Sequence, residues 1–236
     1  MPFILSPKIK LDSPGMWGEG KAYTKNNVYS IGSQPPPVHY DSHIINAHSL
    51  THFEAPAHTA KDGKTIESFF DRPEKFFYGR VAVIRLVGSN YRSISNDTYH
   101  WEITKEEIVQ GLVEIGLTEV PDKLFITTES YFVNEEGFHD PKKVLTLSQN
   151  AANFLVECPG FTLYGTSWKS SDYKPGSMER PIHNTLFKQA LILENLDLRT
   201  VPAGEYFLSA LPLPLVGASE SPVTPVLFTY DELLLL

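Results

Sequence analysis

The chain is short of the features that would make several functions easy to read. It has one cysteine, Cys158, in 236 residues. No internal disulfide can form, which fits a reducing compartment, and a cytoplasmic location is expected. Cys158 follows the apolar run Phe154-Leu155-Val156 and precedes Pro159, which suits a buried helix end better than a nucleophile. No apolar run is long enough to span a bilayer. The N-terminal MPFILSPKIK has no positive segment ahead of its short apolar stretch, so neither a membrane anchor nor a signal peptide is expected. Cations are also scarce: 20 Lys and Arg against 28 Asp and Glu leave a net charge of −8. That balance disfavours nucleic acid as a partner, because phosphate recognition needs clustered Lys and Arg. There is no G-x-S-x-G elbow, no H-E-x-x-H helix and no P-loop. Repeats, low-complexity blocks and interdomain linkers are missing too, and the length suits a single domain spanning 1–236.

What the chain does have is the segment His48 to His58, HSLTHFEAPAH. Four of its eight histidines, His43, His48, His52 and His58, fall within sixteen positions. In an extended backbone, period two places His48, His52, Glu54 and His58 on one side. Pro56 and the β-branched Thr51 argue against a helix, so an extended or turning segment is expected. Imidazole nitrogen and carboxylate oxygen are good ligands for a divalent metal, and clusters of this kind mark metal sites.

The remainder reads as an α/β fold with a mixed sheet flanked by helices. Gln34-Pro35-Pro36-Pro37 forms a stiff turn, and Ile44 to Ala47 reads as the strand that delivers the histidines. Strands are expected at Val81 to Leu86, at Lys123 to Thr128 and at Phe161 to Tyr164. Further strands are expected at Ala190 to Leu193, ending at Glu194, and near Glu205 to Ala210 and Pro225 to Thr229. Thr104-Lys105-Glu106-Glu107 has capping-box spacing and opens a helix with Ile108, Leu112 and Ile115 inward. Ser148 caps a second helix reaching Glu157, and Arg180-Pro181-Ile182-His183 opens a short third one. Strand, helix and strand at this spacing suggest a βαβ unit with a right-handed crossover. Sites in such sheets gather at strand ends, where His48, Thr128, Asp172 and Glu194 would lie. Asp172 either caps a turn or orients a ligand histidine. The terminal Leu233 to Leu236 is expected to dock on the chain's own core or on a neighbour, with a partner-binding tail as the lesser alternative.

HSLTHFEAPAH resembles the metal motif of the cyclase-like metal-dependent hydrolases, the group that includes bacterial kynurenine formamidase and isatin hydrolase. That motif runs His, three residues, His, one residue, Asp, one residue, Pro, one residue, His. The stretch from Ser170 to Leu227 is similar to the family's C-terminal part, with a histidine before a helix, Leu-Glu-Asn-Leu at a strand end and a Leu-Pro-Leu run. Leu5-Ser6 and Trp17-Gly18 fit as well. The resemblance implies the cyclase-like, swivelling β/β/α fold. It also implies that His48, His52 and Glu54 hold one metal, with Glu54 able to bridge to a second completed by His183 and Glu194. His58 would be the proton donor and acceptor, and Trp17 would touch the substrate. Three positions depart from the pattern. Glu54 stands for the usual Asp, Leu50 for a Gly, and His183 and Glu194 are eleven apart where the family has one residue more.

The chemistry expected is hydrolysis of a C–N bond in a small amide, as in conversion of N-formylkynurenine to kynurenine and formate. Metal-activated water would be the nucleophile, and His58 would serve the leaving amine because imidazole titrates near neutrality. His58 as a further metal ligand is the alternative, and Trp17 taken alone would read as core packing. The metal expected is Zn2+, one or two per chain, with Mn2+ and iron as alternatives. An isatin-type lactam or cyclic-imide hydrolase and a catalytically silent metal-binding relative are the competing functions. The partners expected are a small amide and further copies of the chain, as a homodimer or homotetramer.

Overall fold

The computed structural model describes residues 1–11, 13–18, 20–32, 35–95, 97–129, 140, 142–173 and 179–235. Gln34 of the proline-rich turn, residues 174–178 of the family-like stretch and the final Leu236 lie outside the described residues. The first part of the chain contributes β1 (Phe3–Ile4), β2 (Tyr23–Tyr29), β3 (Tyr40–Ile45) and the short β4 (His52–Glu54). The middle contributes β5 (Tyr78–Leu86), β6 (Arg92–Ser95), β7 (Thr98–Ile103), β8 (Lys123–Thr128), β9 (Lys143–Leu147) and β10 (Leu163–Thr166). Then follow β11 (Leu191–Glu194), β12 (Gly204–Ser209), β13 (Glu220–Pro222) and β14 (Val226–Phe228). The helices are α1 (Pro73–Phe76), α2 (Lys105–Glu114), α3 (Gln149–Glu157), α4 (Pro181–Leu186) and α5 (Tyr230–Leu233).

Nine strands form one mixed sheet in the order β1-β14-β12-β5-β8-β10-β11-β4-β13. Its centre, β5, β8, β10 and β11, is parallel. On one side β12 and β14 continue it antiparallel, and on the other β4 and β13 do. The central strands are apolar along nearly their whole length because both faces are covered. In β5, Ala82, Ile84 and Leu86 enter the core shared with residues of α2, α3 and α4, whereas Val81 and Val83 enter the core on the opposite face. In β8, Leu124 and Ile126 join the first core and Phe125 the second.

The helix boundaries follow their caps. The Thr104 hydroxyl accepts from Glu107 N–H at 3.2 Å and the Glu107 carboxylate accepts from Thr104 N–H at 2.8 Å, which completes the capping box of α2. Ser148 accepts from Ala151 N–H at 3.1 Å and starts α3. Cys158 ends α3, half-buried, with its thiol on the Phe154 carbonyl.

His48 to His58 is extended and turning, as expected: only His52–Glu54 is paired, and 3-10 turns at Ala47–Ser49 and Pro56–His58 flank it. Three expectations need correction. The strand before the motif ends at Ile45 and pairs only with β2 in a separate ribbon. The strand expected from Phe161 begins at Leu163, because Thr162 N–H is drawn to the Asp122 carbonyl at 2.7 Å instead of a ladder partner. Of the terminal leucines, Leu234 and Leu235 do not dock on the chain's own core, being 86% and 87% exposed, whereas Leu233 is half-buried at the end of α5.

Gly165 on β10 allows the layers to close. A Cβ there would meet Phe125 Cδ1 at 2.2 Å and Leu196 Cδ1 at 2.9 Å, and Phe125 is fully buried and unable to yield. Gly165→Ala is expected to destabilise the fold by about 1–3 kcal/mol through overpacking. A chemical denaturation midpoint equal to that of the unsubstituted protein would contradict this.

Candidate metal centre

β4 lies between β11 and β13, with His52 opposite Glu194 on one side and Pro222 on the other. Alternation along the strand sends Phe53 into the core and leaves His52 and Glu54 on the opposite face. The two flanking 3-10 turns bring His48 and His58 over the same face. A Cβ on Gly63 would lie 2.4 Å from the Pro56 carbonyl carbon, so only glycine fits behind the turn that carries His58. Asn195, at a left-handed φ of 60°, braces the other turn. Its amide donates to Leu50 O at 3.0 Å, and its carbonyl accepts from the Thr51 hydroxyl at 2.7 Å. Leu50 itself has ordinary extended backbone and is buried. The position therefore makes no demand for glycine.

Glu54 is 2% exposed and touches four histidines. Oε1 lies 3.1 Å from His48 Nδ1, 3.3 Å from His52 Nε2 and 3.4 Å from His58 Nε2. Oε2 lies 2.9 Å from His183 Nε2. Glu194 Oε1 is 3.6 Å from His183 Nε2 and is fixed by the N–H and hydroxyl of Ser171 at 2.6 and 2.8 Å. Ligand atoms of His48, Glu54 and His58 lie within 4.8 Å of one another, as do those of His52, Glu54 and Glu194. These five residues thus converge, with Glu54 common to both groups, and His183 joins them through Glu54 Oε2. Trp17 stands at the mouth, 39% exposed and outside the core, donating to His48 O at 3.2 Å. Thr128 ends β8 but is not in the wall of the cavity.

The outer ring nitrogens separate the histidines by role. His52 Nδ1 faces the Leu50 carbonyl at 2.8 Å, His183 Nδ1 faces Asp172 at 2.5 Å, and His48 Nε2 faces Glu220 at 3.6 Å. Each of these three rings therefore turns one nitrogen inward and rests the other on an acceptor, the arrangement that fixes metal-ligating imidazoles. His58 differs: among the described residues, its Nδ1 has no hydrogen-bond partner. Asp172 also accepts from the Ile182 N–H at 2.9 Å at the start of α4, so both roles open to it in the sequence are filled.

The charges are those of a cation site. Burial works to raise the Glu54 pKa, but the surrounding histidines, His183 foremost, hold it well below the usual carboxylate range. Burial and the neighbouring Glu54 push Glu194 up. Burial opposes protonation of His48, yet Glu220 and Glu54 raise it to about 10. His183 is raised against its burial to about 10 by Glu54 and Asp172. Burial lowers His58 to about 4 against the pull of Glu54, with the charges of His183, His48 and Arg180 adding to the effect, so the near-neutral titration expected of this imidazole does not hold in the metal-free site. Buried carboxylates and imidazoles converging on one space suit a divalent cation, and the donor set fits one.

Comparisons with known proteins agree. Residues 5–173 match the Cyclase family model, described as "Putative cyclase". Kynurenine formamidase from Bacillus cereus is 33% identical over 184 residues, covering 78% of this chain and 77% of that protein. The chain belongs to the cyclase family. Kynurenine formamidase from Salinibacter ruber is 29% identical over 191 residues, covering 80% of each chain. Two solved structures share the fold. A protein from Bacillus stearothermophilus described as a "predicted metal-dependent hydrolase" superposes with a TM-score of 0.69 at 23% identity over 96% of this chain and 97% of its own. Isatin hydrolase A from Labrenzia aggregata gives 0.72 at 20% identity over 97% and 93%.

Three residues of this cyclase-family site, Ser171, Arg180 and Glu220, have no motif of their own in the sequence, and Asn195 is legible only as part of the Leu-Glu-Asn-Leu strand end. Glu220 reaches the site because it stands opposite Glu54 in the β13–β4 register. The raised pKa values of His48 and His183 leave both protonated below about pH 10 when no metal is bound. Metal binding must displace those protons, so affinity is expected to rise between pH 6 and 8, about tenfold per unit for each proton displaced. Calorimetric titration of zinc in buffers of differing ionisation enthalpy checks this, and pH-independent binding without proton release would contradict it.

Proposed function

We propose that this cyclase-family chain is a metal-dependent hydrolase of small amides, of the arylformamidase type, converting N-formylkynurenine or a close relative to the free amine and formate. The observation that carries the reading is the division among the histidines: three rest their outer nitrogen on an acceptor and His58 does not. The names of the kynurenine formamidase relatives support the substrate class.

His48, His52, Glu54, His183 and Glu194 would hold the metal, zinc in the first instance and manganese as the alternative, with Glu54 shared if two ions bind. A divalent ion held there supplies Lewis acidity to a carbonyl and makes water more acidic. The protein's own part is positioning and proton transfer. Asp172, Ser171, Glu220 and the Leu50 carbonyl hold the ligand side chains, so they need not reorganise during the reaction. His58, neutral at pH 7, accepts a proton from the attacking water and returns it to the nitrogen as the C–N bond breaks. Trp17 and the apolar side chains of Leu213 and Leu215 line a cavity of about 690 Å3 at the same site. That wall suits an aromatic amide, and Trp17 supplies a face for stacking.

His58→Ala is expected to lower turnover of N-formylkynurenine by about 10²–10⁴-fold while metal content, measured by elemental analysis, stays that of the unsubstituted protein. Loss of metal in that variant would make His58 a ligand. No turnover of N-formylkynurenine by metal-loaded protein, with hydrolysis of isatin instead, would move the substrate to the lactams.

No helix among the described residues is long and apolar enough to cross a membrane; the single cysteine is what supports a cytoplasmic location in this reading. A homodimer or homotetramer completes the reading, with the exposed Val28, Tyr40 and Ile44 of the β2–β3 ribbon as contact surface. A two-stranded ribbon has little stability of its own. Light scattering is expected to give a multiple of 26.5 kDa, and the single-chain mass would refute the assembly.

A further inference from the structure

The cavity over the metal centre holds one cation whose placement the hydrolysis does not explain. Arg180 is half-buried in its wall, immediately before Pro181 of α4. Among the described residues it makes one long approach, Nη1 to the Ser170 hydroxyl at 3.5 Å. A guanidinium carries five donors in a planar fork suited to a carboxylate. Among the described residues, no acid lies within 4 Å of it. The acids lining the same cavity are engaged elsewhere: Glu54 by histidines, Glu194 by Ser171, and Glu220 by His48 and Ser219. Arg180 is close enough to His58 for its charge to be felt there. Lys169, next to Ser170 in the chain, adds a second cation to the same wall. Its ammonium donates to Met16 O at 3.2 Å and lies 4.3 Å from the centre of the Trp17 ring.

A guanidinium in the wall of that cavity, with no acid beside it among the described residues, keeps most of its fork available for a ligand's carboxylate. We infer that Arg180, with Lys169 joined to it through Ser170, is the carboxylate clamp of this cavity, so that the substrate is an N-acyl amine carrying a carboxylate away from the scissile bond. The inference rests on the hydrolase reading above and narrows it. The aromatic body of such a substrate would lie on Trp17, with its amide toward Glu54 and His58 and its carboxylate on Arg180. Neutral amides and lactams would lack that third anchor.

The test compares two aryl formamides on zinc-loaded protein, N-formylkynurenine and the same formamide without its carboxylate, in the unsubstituted protein, Arg180→Gln and Arg180→Lys. The expected result is a preference in kcat/KM for the carboxylate substrate of about tenfold or more, carried mainly by KM. Arg180→Gln is expected to bring the ratio toward one, and Arg180→Lys to restore part of it, which a merely misfolded variant would not do. A ratio near one in the unsubstituted protein, or an unchanged ratio in Arg180→Gln, would overturn the clamp and leave the hydrolase intact. If neither formamide is turned over, the hydrolase reading fails instead. The clamp is then read by calorimetry with kynurenine and its decarboxylated analogue. Tighter binding of kynurenine that Arg180→Gln abolishes supports it, and equal binding of the two refutes it.

Discussion

Everything at the centre is arranged around one buried carboxylate. Glu54 sits on a three-residue strand at 2% exposure, where an isolated charge would be prohibitive. Four imidazoles meet its two oxygens, and each comes from a different place: a turn before the strand, the strand itself, a turn after it and a helix more than a hundred residues later. The sheet makes the convergence possible. β4 is pinned on both edges, so Glu54 has no freedom to turn toward solvent. Glu54 reaches His48, His52 and His58 with one oxygen and His183 with the other.

The outer partners of those imidazoles matter as much as the inner ones. A histidine has two nitrogens, and the contact at one decides which proton form the other presents. Asp172 links this requirement to the backbone. It receives the ring of His183 and the first free N–H groups of α4 at once, so the direction of the helix and the orientation of the ring are set together. The same economy appears at Asn195, whose left-handed backbone closes the strand end while its side chain holds the loop ahead of His52.

Much of this was readable in the chain. The histidine spacing pointed to the centre, the Thr104 capping box and the Ser148 cap placed α2 and α3, and the apolar run Val81–Leu86 and the segment Lys123–Thr128 marked strands, the first of which begins three residues earlier at Tyr78. These signals are local, and local propensities write them directly. The reading failed where partners decide. Ile44 to Ala47 read as the strand that delivers the motif, but the strand ends at Ile45 and finds its partner in β2 alone. β6, β7 and β9 are irregular in polarity and take their form from one another. Glu220 and Arg180 carry no motif because their significance is positional: register brings one beside Glu54, and the approach to α4 brings the other into the cavity wall.

The span of the centre along the chain has a mechanical consequence. Glu54 and His183 are separated by 129 positions, and the chain has no pair of cysteines to fasten distant segments. An ion shared by those residues would be a cross-link across more than half the polypeptide, closing a loop whose entropy the unfolded chain would otherwise recover. It would bind the folded form alone and shift the unfolding equilibrium by mass action. Metal supply would then set how long the molecule survives, as well as whether it works. A cell short of the ion would hold fewer copies of the protein, because the empty form opens more often and is cleared.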